Sequence, residues 1–246
     1  MIPVLVAHRG YMEKYPENSL SSIEAALQAG ACMVEFDVQM DANGQLLLLH
    51  DDNFKRTAGI DSSIFDTPDG TLISVHEPDR LGDAFKPETV PALTQILDML
   101  EHYPQATAFI EIKDESIQRW GLGRVMDELL SCIEQLSHQC VIISDNLEAV
   151  STAGKQSDSK TGWVIHRYDA VHHELAEQHT PDYMICNYKR IVGGLWPGNW
   201  EWMLYDITDP DLALHWADKG ARLIETREIG DMLQHPLLQQ RRCQHG

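Results

Sequence analysis

The sequence predicts an α/β protein whose strands close into a (β/α)8 barrel. Three observations carry that reading. Eight short apolar segments, beginning near residues 4, 33, 107, 141, 162, 183, 202 and 221, alternate with helical segments, as in a parallel sheet covered by helices. The length, 246 residues, is typical of one such barrel. No glycine-rich nucleotide fingerprint follows the first strand, which weighs against the alternative of an open doubly wound sheet. The strand count is eight only if Leu46 to His50 is the return arm of a hairpin and not a barrel stave. Residues 1–246 then form a single domain, although two smaller ones are compatible with the length.

The elements follow in order. Val4 to His8 is an apolar run ending in His-Arg-Gly, a buried strand with a polar tip. Glu17-Asn18-Ser19 precede a helix over Leu20 to Ala29, whose stripe is Leu20, Ile23, Ala26 and Leu27, and Gly30 stops it. Met33 to Asp51 is two apolar runs around the turn Asp41-Ala42-Asn43-Gly44, a strong hairpin signal. Residues two apart in a strand share a face, so Glu35 and Asp37 project together. If the turn uses those four residues, Met40 pairs with Gln45 and His50 falls opposite Glu35. Two carboxylates suit a hard divalent cation, and an imidazole beside them can move protons. An amphipathic hairpin with a solvated acidic face would carry the same residues.

Asp52 to Thr89 is rich in Gly, Pro, Asp and Ser and shows no sustained period. Its apolar residues Ile60, Ile64, Phe65, Leu72, Ile73, Leu81 and Phe85 suffice to pack, so it is predicted to be an ordered excursion over the main body and not a disordered linker. Helices are then predicted at Ala92 to His102, Ile117 to Leu136, Leu147 to Lys155, Ala170 to Gln178, Pro210 to Lys219 and Ile229 to Leu233. They alternate with strands at Thr107 to Lys113, Val141 to Ser144, Gly162 to His166, Tyr183 to Cys186, Trp202 to Ile207 and Ala221 to Glu225. A Gly/Trp/Pro-rich loop, Val192 to Trp200, stands where one helix is missing, and the polar tail Gln239 to Gly246 is expected to fray.

The net charge of −19 argues against nucleic acid or an anionic membrane as a partner. An anionic substrate would need a local positive site. The five cysteines, Cys32, Cys132, Cys140, Cys186 and Cys243, are odd in number and show no CxxC spacing; they read as reduced thiols of a cytoplasmic protein, with Cys32 and Cys186 as core fillers. The first ten residues lack a signal-peptide pattern, and no apolar run reaches membrane-spanning length.

Functional residues of a (β/α)8 barrel sit at the C-terminal strand ends. His8, Arg9, Glu35, Asp37, Glu111 and Lys113 fall there, and His50 returns to the same rim on the antiparallel arm. Each has an ordinary explanation: a histidine can be structural, Glu111 and Lys113 can be a same-face ion pair, and Arg9 can pair with Glu35. Their convergence at one end of the barrel is what favours a site.

The strings carrying these residues resemble the glycerophosphodiester phosphodiesterase family. They are His8-Arg9-Gly10, Pro16-Glu17-Asn18, Glu35 with Asp37, the DANG turn, His50-Asp51-Asp52, Arg56-Thr57, VPAL and Glu111-Ile112-Lys113, in matching order and spacing. The resemblance implies a TIM barrel with a small insertion after the second strand, here 52–89 over the catalytic face. It implies hydrolysis of a small-molecule glycerophosphodiester to an alcohol and glycerol 3-phosphate, a reaction of lipid and glycerol metabolism. Glu35, Asp37 and Glu111 would hold one divalent cation, Mg²⁺ or Ca²⁺. Arg9 and Lys113 would grip the phosphate, and His8 as base and His50 as acid would transfer protons. Glu17 would orient Arg9 or support the metal.

The C-terminal half departs from the family. Tyr205-Asp206-Ile207-Thr208 and Ile224-Glu225-Thr226 stand where Trp-Thr-Val-Asn and Ile-Thr-Asp strings are usual, which leaves substrate choice open. Tyr205 faces either the substrate's alcohol group or the core, and Trp196 and Trp200 form either a lid or cation–π site or ordinary loop packing. Two other readings stay open: phospholipase D-like action on lysophospholipids, and a non-catalytic barrel that binds a phosphorylated ligand.

Overall fold

The computed structural model describes residues 1–82 and 85–244. In chain order its strands are β1 (Val4–Ala7), β2 (Met33–Met40), β3 (Leu46–Leu48), β4 (Ser74–Val75), β5 (Glu88–Thr89), β6 (Thr107–Ile112), β7 (Cys140–Ser144), β8 (Lys160–Ile165), β9 (Tyr183–Asn187), β10 (Glu201–Tyr205) and β11 (Ala221–Thr226). Eight of these, β1, β2 and β6 to β11, run parallel, each paired with the next, and β11 returns to β1 to close the barrel. The helices are α1 (Leu20–Gln28), α2 (Lys55–Ala58), α3 (Pro78–Leu81), α4 (Leu93–Leu100), α5 (Asp114–Trp120), α6 (Leu122–Ile133), α7 (Leu147–Gln156), α8 (Ala170–His179), α9 (Pro210–Asp218) and α10 (Ile229–Met232).

Strand alternation sorts the core into two layers. Val6, Phe109, Val141, Ile143, Val164, Tyr183, Ile185, Met203 and Leu223 fill the barrel interior. Their strand neighbours, such as Val34, Phe36, Ile110, Ile142 and Ile224, face the helices. A fully buried side chain of this size is worth about 1.5–3 kcal/mol, so a slip of one residue, which would exchange the two layers, is strongly disfavoured. The same alternation turns Glu35, Asp37, Glu111 and Glu225 inward, toward the C-terminal mouth.

The hairpin register differs from the expected one by a residue. Met40 pairs with Leu46, and the turn extends to Gln45, because Asp41 Oδ1 accepts from the backbone N–H of both Asn43 and Gln45. His50 therefore does not face Glu35 across the ladder; it reaches the barrel mouth after β3 has ended. The predicted helix Ile117 to Leu136 is two helices, α5 and α6, broken at Gly121, whose φ of +86° a helix cannot continue through.

Within the described part of 52–89, Phe54, Ile64 and Val75 are buried against Leu47 and Leu49 of the return arm, and β4 pairs with β5. Ile60 and Leu72, expected to pack there, are exposed. Asp83 and Ala84 lie outside the described residues. The loop 192–200 holds no helix, as expected. Trp196 stacks on Tyr168 at 4.0 Å and on His173 at 4.9 Å, so it packs on the barrel wall.

The cysteine reading is corrected. Cys32 and Cys243 are joined by a disulfide, with Cα atoms 5.1 Å apart. Leu238 is buried beneath the barrel and Cys243 N donates to Gly30 O, which brings the tail to Cys32; through residue 244 the tail is thus tied down and not frayed. His245 and Gly246 lie outside the described residues. Cys140 and Cys186 are buried free thiols. The expected argument from reduced cysteines to a reducing compartment no longer stands. Among the described residues no helix is long and apolar enough to cross a membrane.

Candidate active site

At the C-terminal mouth lies a cavity of about 230 Å³, lined by His8, Arg9, His50, Glu111, Lys113, Ile143, Val164, His166, Ile185, Tyr205, Asp206 and Glu225. Its charged and polar groups come from the ends of β1 and β6, from His50 after β3, and from Asp206 and Glu225 at the ends of β10 and β11; Ile143, Val164 and Ile185 of β7 to β9 make the apolar wall.

The turn after β1 sets the first groups. Arg9 adopts φ +50° and its N–H donates to Glu35 Oε2 at 3.0 Å. Gly10 follows at φ +77°, where a Cβ would lie 2.5 Å from the Ser22 backbone, so only glycine fits against α1. Arg9 does not spend its guanidinium on Glu35. Its Nη1 donates to Glu17 Oε1 at 2.9 Å and its Nε lies 3.1 Å from Asp37 Oδ2. Glu17, buried behind Arg9, also takes Arg56 at 2.6 and 2.8 Å and orients both guanidiniums.

Asp37 is held on three sides. Asn18 donates through Nδ2 to Oδ2 at 2.9 Å and accepts the Asp37 N–H at 3.1 Å. Lys113 Nζ lies 3.5 Å from Oδ1 and donates to Glu111 Oε1 at 2.9 Å. Burial pushes the Asp37 carboxyl up, but Arg9 and Lys113 outweigh it and hold it well below the usual carboxylate range. Glu35 and Glu111 go the other way: burial, reinforced by Asp37, raises both. Glu225 is pushed up to about 8, by burial and then by Glu111. The ligand oxygens of Glu35, Asp37 and Glu111 lie within 4.8 Å of one another, and Glu35 Oε1 is buried with no hydrogen-bond partner. Three converging carboxylates, one with an unused oxygen and two already around an ammonium, form a donor set that fits a hard divalent cation.

The two histidines differ in setting. His8 is lowered to about 3, by burial and then by Arg9, so its imidazole is neutral near pH 7. His50 Nδ1 lies 2.7 Å from Asp51 Oδ1. Asp51 is in turn bound by Arg56 Nε at 2.9 Å, and its carboxyl is held low by the His50 hydrogen bond and by Arg56. Arg56 thus connects the excursion to both Glu17 and the His50–Asp51 pair.

All nine residues singled out in the sequence, His8, Arg9, Glu17, Glu35, Asp37, His50, Glu111, Lys113 and Tyr205, lie at this mouth; Glu17 sits one layer back and Tyr205 lines the cavity. The Glu111–Lys113 ion pair is present as well. Sequence reasoning missed Asn18 and Asp51 as positioning groups, though both stand inside matched strings, and missed Glu225. Counting two on from inward Leu223 finds Glu225.

The model of the Glycerophosphoryl diester phosphodiesterase family matches residues 8–184. A glycerophosphodiester phosphodiesterase of Bacillus altitudinis is 32% identical over 131 residues, covering 50% of this chain and 51% of that protein. One from Caldanaerobacter subterraneus is 29% identical over 103 residues, 41% of each. The chain thus spans about half the length of the curated relatives it matches, or less. An Oleispira antarctica phosphodiesterase solved in complex with the product sn-glycerol-3-phosphate has a TM-score of 0.82 at 20% identity, covering 95% of this chain and 96% of that one. A glycerophosphodiester phosphodiesterase from Thermotoga maritima has 0.71 at 20% identity, covering 95% and 98%. At these identities the structural likeness bears on the fold alone.

Proposed function

Because the chain belongs to the Glycerophosphoryl diester phosphodiesterase family, we propose that it hydrolyses a glycerophosphodiester to an alcohol and glycerol 3-phosphate, with one divalent cation, Mg²⁺ or Ca²⁺, and with His8 and His50 as the acid–base pair. The observation that carries this reading is the convergence of Glu35, Asp37, Glu111, Arg9, Lys113, His8 and His50 at one mouth. The reading takes 1–246 as one domain, with 52–89 placed over the catalytic face.

Glu35, Asp37 and Glu111 would hold the cation. When bound it supplies charge that stabilises the developing negative phosphoryl oxygens. Arg9 and Lys113 line the cavity beside these carboxylates and bind the phosphate. Arg9 is preset by Glu17, which fixes one edge of its guanidinium. His8, neutral near pH 7, can accept a proton from the nucleophile, which is either water, giving the phosphomonoester directly, or a substrate hydroxyl, giving a cyclic ester that water then opens. His50 serves as the acid: Asp51 holds its Nδ1, which leaves Nε2 to give a proton to the leaving alkoxide. Tyr205 and the apolar wall of Ile143, Val164 and Ile185 flank the glycerol or alcohol moiety.

The test is turnover of chelator-treated protein on glycerophosphocholine, glycerophosphoethanolamine and glycerophosphoglycerol, with and without Mg²⁺ or Ca²⁺. Release of glycerol 3-phosphate that added metal restores is the expected result. No release on any of the three, with the fold intact and metal bound, rejects the proposal.

A further inference from the structure

Glu225 is the one buried carboxylate of the mouth that the reaction above does not use. It stands near the end of β11, level with Val6 of the adjoining β1, and points into the barrel. It is 4% exposed and interacts with the Glu35 carboxyl beside it. Two buried acids so placed are costly unless a cation or a proton accompanies them.

The geometry supplies a cation position. Ligand atoms of Glu225, Glu35 and His8 lie within 4.8 Å of one another, a second group that shares only Glu35 with the first. Glu35 Oε2 is taken by the Arg9 N–H, and Oε1, fully buried, has no hydrogen-bond partner. The two positions differ in chemistry. Glu35, Asp37 and Glu111 offer oxygen alone, which suits Mg²⁺ or Ca²⁺. Glu35, Glu225 and His8 offer two carboxylates and an imidazole, the mixed nitrogen and oxygen set that borderline transition ions prefer.

We propose that Glu35, Glu225 and His8 form a second cation position that takes Zn²⁺ in preference to Mg²⁺ or Ca²⁺, and that its occupation removes His8 from proton transfer and silences turnover. The silencing rests on the acid–base reading above; the binding site does not.

The experiment is calorimetric titration of Zn²⁺ into Mg²⁺-saturated protein, with turnover followed in parallel. Wild-type protein should take up one further equivalent and lose activity as it does so. Glu225→Gln should weaken that equivalent more than about tenfold and should require correspondingly more Zn²⁺ for inhibition. His8→Gln should weaken it as well, which keeps the test sound if one variant folds poorly. Displacement of Mg²⁺ with no extra equivalent, identical Zn²⁺ binding by both variants, or a rise in turnover with Zn²⁺ would each overturn the proposal. Failure of Mg²⁺ or Ca²⁺ to bind or activate would instead reject the first cation centre, whatever the Zn²⁺ stoichiometry.

Discussion

Replacing Asp51 by Asn tests the arrangement at its most specific contact. Asp51 Oδ1 lies 2.7 Å from His50 Nδ1, and both its oxygens are fixed by Arg56, at 2.9 and 3.2 Å. If His50 is the acid of the proposed reaction, the Asp51 carboxylate gives its ring a charged hydrogen-bond partner, whereas an amide oxygen offers only a neutral acceptor. A hydrogen bond to a charged group is worth about 1.5–3 kcal/mol, which corresponds to roughly 10- to 150-fold in kcat. KM should change little, because Asp51 does not line the cavity. The fold should hold, because Arg56 keeps both bonds to Glu17. The assay is steady-state release of glycerol 3-phosphate by Asp51→Asn and wild type at saturating metal, with Tm measured alongside. A kcat within about threefold of wild type, at unchanged Tm, would refute the positioning role; a fall in kcat matched by loss of Tm would show a structural effect instead.

His8→Ala and His50→Ala should each lower kcat by about 10²- to 10⁴-fold while calorimetry still shows Mg²⁺ or Ca²⁺ binding; near-normal turnover in either removes that residue from the acid–base pair. Asp37→Asn and Glu111→Gln should each weaken that binding by more than about tenfold, and an unchanged isotherm rejects the ligand assignment. Glu225 gives a pH signature. Its carboxyl is raised from 4.5 to about 8, so it favours folding fully below 4.5 and loses that contribution as pH rises to about 8. In chelator, the Tm of Glu225→Gln should therefore gain on wild type across that window, and a pH-independent gap would contradict it.

Much of this site was readable in the chain because period-two alternation is a property of the strand itself. Glu35 and Asp37 turn inward whatever the neighbours do, and strand ends of a parallel barrel share one mouth. The same rule applied from Leu223 reaches Glu225, but the departure of that strand from the expected string directed the reading elsewhere. Other features depend on contacts that local pattern does not encode. The hairpin register turned on one side chain, Asp41, capping two backbone donors. The break at Gly121 lies inside a run whose apolar spacing continues across it, so periodicity alone could not show it. Cys32 and Cys243 are 211 residues apart and meet only after the barrel has closed and the tail has packed beneath it. Arg56 lies in a stretch without period, and its link to Glu17 and Asp51 exists only once the excursion has packed against the barrel.

The charge balance of the mouth supports the proposed cation. Glu35, Asp37, Glu111 and Glu225 face Arg9 and Lys113, so a fully ionised pocket is negative, within a chain of net charge −19. A phosphodiester anion would be repelled. Arg9 and Lys113 do not offset this, because their charge is already committed to Asp37 and Glu111. Protonation of Glu35 and Glu225 would lower that negative charge but leave both cations engaged. A divalent ion held by Glu35, Asp37 and Glu111 would do more: it would compete for the carboxylates that now hold Arg9 and Lys113 and so free their charge for the phosphate. On the proposed reading the acidic cluster and the anionic ligand become compatible through that exchange, and phosphate binding should then strengthen with metal binding.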